Sequence, residues 1–232
     1  MNKFTKTAAF ALACAIAVPS IAAEEEEGPV GWTPFAISLA SPVQLPWGIG
    51  DWDVFGLDLG VLYNDVWHMY GIDVAIATTV RGDTRGIVAS GLFNYASQDI
   101  WAIRATLGAN ISAGTLYGVD LGGFGYHNSI YGVDIEFIGT MQKRICGFDA
   151  SLIFNLTEEE SCGLTVVGGV NMAKTAYGCQ LAGVFNYTDE LHGCQIGVVN
   201  FARECPWGFQ IGLVNIIMDN KIKVLPIVNG YF

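Results

Sequence analysis

From Gly56 onward, polar and apolar positions alternate inside a unit that returns about every fifteen residues, and a period of this length marks a repeat architecture. The clearest copies are Gly178-Cys-Gln-Leu-Ala-Gly-Val-Phe-Asn186, Gly193-Cys-Gln-Ile-Gly-Val-Val-Asn200 and Gly208-Phe-Gln-Ile-Gly-Leu-Val-Asn215. Others open at Gly56, Gly71, Gly86, Gly118, Gly132, Gly147 and Gly163; Ala102 replaces the glycine once, and Ile222 begins a worn last copy ending at Asn229. With Gly193 as position one, the odd positions are Gly193, Gln195, Gly197 and Val199, and the even ones Cys194, Ile196, Val198 and Asn200. One face is mostly small or polar and the other mostly apolar, the period-two signature of a strand lying between two different environments.

Position three carries Asp58, Asp73, Asp120, Asp134, Asp149, Thr165, Gln180, Gln195 and Gln210, while position four carries Leu59, Val74, Leu121, Ile135, Ala150, Val166, Leu181, Ile196 and Ile211. An aromatic often stands just before the opening glycine: Phe55, Tyr70, Tyr117, Tyr131, Tyr177 and Trp207, with Trp101 before Ala102. By parity these rings lie on the apolar side at the strand end, where a lipid-facing surface carries its interfacial girdle. Rings plugging the ends of a soluble core would leave the same pattern. Polar segments such as Thr157-Glu-Glu-Glu-Ser161, Thr188-Asp-Glu190 and Asp219-Asn-Lys221 suit turns. A strand of about nine residues and a short loop fill one unit, close to what a bilayer requires. The Gly178 copy has one residue more before its second glycine than the next two copies, which predicts a β-bulge there.

The fold is therefore all-β, and two architectures compete. In an up-and-down meander each copy is one strand and closure removes the edges. In a β-solenoid each copy is one coil, and equal positions stack into ladders. Stacking would bring Cys179 to Cys194 and Cys146 to Cys162, whereas a meander would place each pair at opposite ends of adjacent strands. Against the solenoid, only about half of each copy is apolar, which leaves little to bury on the coil's other wall. The reading adopted is a meander β-barrel of about twelve repeat strands, with the β-solenoid as its alternative. Phe35 to Ala40 adds a candidate strand to that number, although bacterial single-chain barrels normally have an even count.

Composition sharpens this picture. The chain is 52% hydrophobic and only 14% charged, and after the leader it has no apolar run of helical spanning length. A lipid-embedded barrel is one home for that much apolar surface, since its outward residues alternate with inward ones. Lys3 and Lys6, the apolar run Ala8 to Val18 and Ser20-Ile21-Ala22-Ala23 before Glu24 to Glu27 read as a cleaved secretory signal peptide. The expected organisation is a signal peptide over 1–23, an N-terminal segment with a candidate first strand over 24–50, and a repeat β domain over 51–232. A terminal aromatic such as Phe232 is common on assembled outer-membrane barrels. The net charge of −11 excludes nucleic acid as a partner and disfavours anionic head groups. Besides Cys14 in the leader, Cys146, Cys162, Cys179, Cys194 and Cys205 are odd in number and form no C-x-x-C pair, so zinc and thioredoxin chemistry are not expected, while export permits disulfides.

The repeat, written G-x-[QD]-[ILV]-x-G-x-x-N with its fifth position sometimes missing, resembles the leptospiral-type bacterial surface-repeat family. Ser41-Pro-Val-Gln-Leu-Pro46, leading into Phe55-Gly-Leu-Asp-Leu-Gly60, and the ending Leu225-Pro-Ile-Val-Asn229 are similar to that family's opening and closing phrases. The resemblance spans most of the chain and is strongest from Gly178 to Asn215. It implies an outer-membrane or cell-surface location, and it carries no enzymatic activity and no catalytic residues. The copies around Ala102 and Gly132 depart from the pattern, with Thr140 in place of Asn in the latter.

Individual chemistry is sparse. His68, His127 and His192 are solitary and near predicted turns, without metal spacing, so they read as loop residues. The periodic aspartates recur once per strand, and the wall of a polar lumen or a solvated face explains them better than a catalytic pair or a calcium site. Gly122-Gly123-Phe124-Gly125 belongs to the repeat and is followed by no helical pattern, so close backbone packing is expected rather than a phosphate loop. Arg81-Gly82-Asp83 matches the integrin-binding tripeptide, but these residues are ordinary in turns. No catalytic, cofactor or metal residues are expected. Asp58, Asp73, Asp120, Asp134, Asp149, Gln180, Gln195 and Gln210 are the expected lumen-lining residues, and an open lumen with that acidic wall would favour cations. The function expected is a non-enzymatic outer-membrane or surface β-repeat protein with outer-membrane lipid as partner, forming a narrow cation pore or, alternatively, a structural or adhesive repeat protein without one.

Overall fold

A computed structural model describes residues 28–41, 43–47 and 49–231; the leader expected over 1–23 and the terminal Phe232 lie outside them. The strands are β1 (Gly31–Ala40), β2 (Val43–Leu45), β3 (Trp52–Val66), β4 (Met69–Val80), β5 (Thr84–Ala96), β6 (Ile100–Thr106), β7 (Ala109–Ser151), β8 (Phe154–Val167), β9 (Val170–Ala182), β10 (Phe185–Ile196), β11 (Val199–Ile217) and β12 (Val224–Gly230). They form one sheet in the order β12-β11-β10-β9-β8-β7-β6-β5-β4-β3-β1-β2. From β1 through β3 to β11 every pairing between neighbours is parallel. Tight turns cannot join parallel neighbours; here each coil returns the chain one strand along, and the molecule is a β-solenoid.

This corrects the expected meander barrel. The decisive feature is register: Gly193 pairs with Gly178 and Gly208, Gln195 with Gln180 and Gln210, and Asn186 with Asn171 and Asn200. Equal repeat positions stack, as the solenoid alternative requires. The ends differ from the expected strand count. The Phe35–Ala40 segment lies in β1, the first parallel strand, capped by the short antiparallel β2. The worn copy from Ile222 to Asn229 is no coil; its β12 runs antiparallel to β11 and closes the other end. Pro226 within β12 withholds a donor where further pairing would otherwise invite another strand.

Five side-chain positions per coil point inward, one of them position five, which is small in most coils. Two more are polar: position three and the closing Asn. The other two are the residue two places before the glycine, such as Val54, Met69, Ile100, Leu116, Ile130, Ile145 and Leu191, and the residue two places after the Asn, such as Val66, Ala96, Ala173, Ala202 and Ile217. The second of these positions is polar in five coils, at Ser112, His127, Gln142, Thr157 and Thr188, and the apolar members pack into three clusters along the axis. Thus only part of a coil's interior is hydrophobic, and the rest is filled by polar side chains, among them hydrogen-bonded amides and carboxyls. That polar filling is what the sequence argument against a solenoid overlooked.

The opening glycine makes the corner. Gly193 has φ +143°, and a Cβ there would overlap the Gly178 carbonyl oxygen of the preceding coil. Nine further repeat glycines share the positive φ, whereas Ala102 does not. The extra residue of the Gly178 copy lies at a corner, not in a strand bulge: Leu181 pairs with Ile196 and Phe185 with Val199, so residues 182–184 face 197–198.

Candidate functional site

Two features stand out against this frame: an apolar outer wall and an acidic pocket of side chains inside. The wall follows from parity. With position three inward, position four points out, and Val74, Ile135, Ile196 and Ile211 are exposed, as are Ile87, Leu92, Phe137 and Leu213 elsewhere on the coils. Parallel sheets are normally covered on both faces. Here the inner face is covered by the coil itself, and the outer face is apolar and bare in the single chain, far beyond the scattered apolar residues of an ordinary surface.

The aromatics before the glycine form a stripe along the axis rather than a girdle around the ends. Phe55 stacks on Tyr70 at 4.7 Å, Trp101 on Tyr117 at 5.4 Å, Tyr117 on Tyr131 at 5.3 Å and Tyr177 on His192 at 4.6 Å between centroids. Arg85 bridges the first two groups, its guanidinium 5.6 Å from the Tyr70 centroid and 4.8 Å from that of Trp101. In the same column Cys146 pairs with Cys162.

Asp58, Asp73, Asp120, Asp134, Asp149, Gln180, Gln195 and Gln210 all lie in one interior column and are buried. They line no barrel lumen, because the chain forms no barrel. Gln195 donates to Gln180 Oε1 at 2.9 Å and Gln210 donates to Gln195 Oε1 at 2.8 Å, an amide ladder. A parallel ladder joins Asn186 to Asn200 at 2.9 Å and Asn200 to Asn215 at 2.8 Å. Asn64 donates to Asp73 Oδ1 at 2.6 Å and Asn155 donates to Asp149 Oδ2, tying the two polar columns together, while Gln142, two places beyond the Asn position, also donates to Asp149 Oδ2 at 2.6 Å.

The middle coils break the pattern. Arg104 occupies position three and pairs with Asp120 in the next coil, both fully buried. The hydrogen bond from Phe124 N to Gly108 O aligns Gly125 with Asn110, so a glycine stands where the closing Asn belongs. Position five is small in other copies, as at Gly60, Ala75, Ser90 and Gly197, but is Glu136 here. His127 is a buried strand residue and not the expected loop residue; it shares its column with Ser112, whose hydroxyl lies 2.8 Å from Nδ1. Ligand atoms of Asp120, His127, Asp134 and Glu136 all lie within 4.8 Å of one another.

Burial governs the protonation of this interior. It raises the Asp120 carboxyl against the opposing pull of Arg104, and raises Asp134 well above the usual carboxylate range with help from neighbouring Asp149 and Asp120. It pushes Glu136 up to about 8, Asp73 to about 7, and Asp58 and Asp149 to about 6. His127 is held well below its ordinary value by burial and by the Arg104 charge, so its ring is neutral. Thr140 helps lower Asp134, yet neither Asp134 oxygen has a hydrogen bond of good geometry.

The remaining motifs are structural. Arg81 is anchored by Asp65 at 2.6 Å and Asp51 at 3.3 Å, so the tripeptide's cation is engaged within the solenoid. His68 pairs with Asp53 at 2.7 Å and His192 with Glu190 at 2.8 Å. Gly123 packs against Gly108 O, the close approach expected of the glycine cluster, while Gly122 and Gly125 give space to Glu136 and His127. The acidic site was missed in the sequence because its members lie up to 16 residues apart and meet only through coil stacking. The available signal was the set of copies that break the pattern: Arg104 at position three, Gly125 for Asn and Glu136 at a small position. No family profile, curated protein or solved structure matches the chain. The class defined by the fold is an all-β solenoid repeat protein.

Proposed function

We propose that this is a non-enzymatic structural repeat protein of the outer membrane or cell surface, without a pore, whose apolar outer wall lies against lipid. The observation that carries this reading is the inverted distribution of side chains: polar position three is buried while apolar position four faces outward. A wall of that kind loses free energy to water at roughly 25 cal/mol per Å² until it is covered. Aromatic rings along the stripe suit the boundary between acyl chains and head groups. The net charge of −11 directs the wall toward zwitterionic rather than anionic lipid. The leader-like segment and the resemblance to leptospiral-type surface repeats point the same way.

Expression with the leader, followed by fractionation and flotation of the purified chain with phosphatidylcholine vesicles, tests this reading. Recovery with the outer membrane and co-flotation in the absence of detergent are expected. A detergent-free chain that stays in the soluble fraction and does not float would overturn lipid as the partner. A discrete soluble oligomer would instead show that copies of the chain cover each other's walls.

A further inference from the structure

We propose that Asp120, His127, Asp134 and Glu136 form a binding site for one divalent transition-metal ion inside the solenoid, with zinc as the best-fitting ion. Three carboxylates and an imidazole offer one nitrogen and three oxygens, all buried and all within 4.8 Å of one another. Around a four-coordinate zinc with bonds of about 2.0–2.2 Å, ligand atoms sit about 3.4 Å apart. From a spacing of 4.8 Å, each ligand atom reaches that geometry by moving inward about 1 Å. Hard cations such as calcium and magnesium prefer more ligands, all of them oxygen, so the imidazole and the closed interior select against them.

The second observation is the set of atoms left without partners. Both oxygens of Asp134, Asp120 Oδ1, Glu136 Oε2 and His127 Nε2 have none, although their residues are 0–1% exposed. Single unmet oxygens also occur in this column at Asp58, Asp73 and Asp149, but among the described residues only these coils gather three carboxyls and an imidazole around one point, with both oxygens of Asp134 unmet. Buried groups of this kind normally find partners, and a cation would supply one to all of them. Charge agrees: three carboxylates facing the single Arg104 guanidinium carry two excess negative charges, which one divalent ion cancels.

The surroundings are shaped accordingly. A Cβ at Gly125 would stand 2.7 Å from His127 Nε2, and one at Gly122 would stand 2.5 Å from Glu136 Oε2. Gly125 leaves open the space that the repeat's Asn fills in other coils, and Gly122 is the small residue of position five in its own coil. His127 directs Nε2 toward Asp120 Oδ2 at 3.4 Å, and its other nitrogen can donate to Ser112 Oγ at 2.8 Å. That is the outer hydrogen bond by which a ligating histidine is normally oriented. Arg104 Nη2 stands 3.4 Å from the same Nδ1, and Nδ1–H toward Ser112 is the tautomer that metal binding selects. Asn110 Nδ2, 3.4 Å from Glu136 Oε1, steadies the fourth ligand.

The test uses the full chain without its leader, unfolded and refolded with zinc chloride, manganese chloride, calcium chloride or a chelator, then dialysed. Metal content by plasma mass spectrometry and thermal melts are the readouts. One zinc per chain and a higher Tm in zinc than in chelator are expected, with calcium retained at less than one tenth of that level. Glu136→Gln and His127→Gln should lose the stoichiometric ion. Ser112→Ala should keep it but bind it roughly ten- to a hundredfold more weakly. Asp73→Asn, in a distant coil of the same column, should bind zinc as the parent does. Should the ligand variants fail to fold, the parent refolded with and without zinc still decides. Absence of stoichiometric metal and an unchanged Tm would show that protons alone neutralise the cluster. Metal retained by the ligand variants, or a preference for calcium, would equally overturn the proposal.

Discussion

Gly193 and Ile196 lie three residues apart and make opposite demands on the structure. At φ +143°, with the Gly178 carbonyl where a Cβ would go, Gly193→Ala should destabilise the solenoid by about 3 kcal/mol or more. Ile196 is 37% exposed, and Ile196→Ser should change unfolding in water by less than about 0.5 kcal/mol while weakening vesicle binding. Urea denaturation of both variants checks the contrast, and equal losses would mean that the outer apolar residues hold the fold. Between them, Gln195 links the amide ladder in both directions, donating to Gln180 and accepting from Gln210. Gln195→Ala leaves buried amides unpaired beside a cavity and should cost about 2–4 kcal/mol by the same measurement. A loss under about 0.5 kcal/mol would show that the ladder contributes nothing net.

Stacked coils turn repeat positions into columns, and each column has its own chemistry. In the position-three column, burial raises Asp58 from 3.8 to about 6 and Asp73 from 3.8 to about 7. Between those values the folded chain keeps protons that the unfolded chain has released. Stability from these groups is therefore complete below the unfolded value of 3.8 and is lost as pH rises through about 6 and 7. Tm should fall from pH 5 to pH 8, and Asp73→Asn should flatten that slope and stabilise the chain at pH 8 by about 1 kcal/mol or more. A Tm that rises over the same interval contradicts this reading of the column. One place after their glycines, Cys179 and Cys194 form a disulfide with Cα atoms 4.7 Å apart, and in the stripe column Cys146 and Cys162 hold the same neighbour relation on adjacent strands. With oxidised glutathione as the acceptor of their two hydrogens, these thiols should close a second bridge, leaving Cys205 as the sole free thiol of the chain without its leader. Peptide mapping with thiol counting reads the outcome, and three titratable thiols under those conditions would exclude the bridge. These columns were half legible in the sequence. The period, the parity of Asp and Gln against Leu and Ile, and the cysteine pairs are visible along the chain, but whether like positions stack or alternate depends on strand direction, which periodicity does not encode.

For the whole molecule, the alternation at Gln195 and Ile196 was readable as inside and outside, yet it suits a barrel in lipid and a solenoid equally. The barrel was favoured because the apolar residues were too few to fill a coil on both walls. The structure resolves this by filling much of the interior with polar side chains, which in the C-terminal coils form Asn and Gln ladders whose hydrogen bonds replace apolar packing. The acidic cluster stayed hidden for a related reason: Arg104, Gly125 and Glu136 look like decay of the repeat until stacking shows that they meet. An apolar exterior is then a property of the complete solenoid, and its covering is the central question. Maleimide labelling addresses it most directly in the chain without its leader and with Cys146, Cys162 and Cys205 replaced, comparing Gln210→Cys with Ile211→Cys in water and with phosphatidylcholine vesicles. The account predicts rapid labelling at position 211 in water, protection there by vesicles, and protection at position 210 in both conditions. Equal labelling of the two positions in water, or labelling at 211 that vesicles leave unchanged, would contradict a closed polar interior behind a lipid-facing wall.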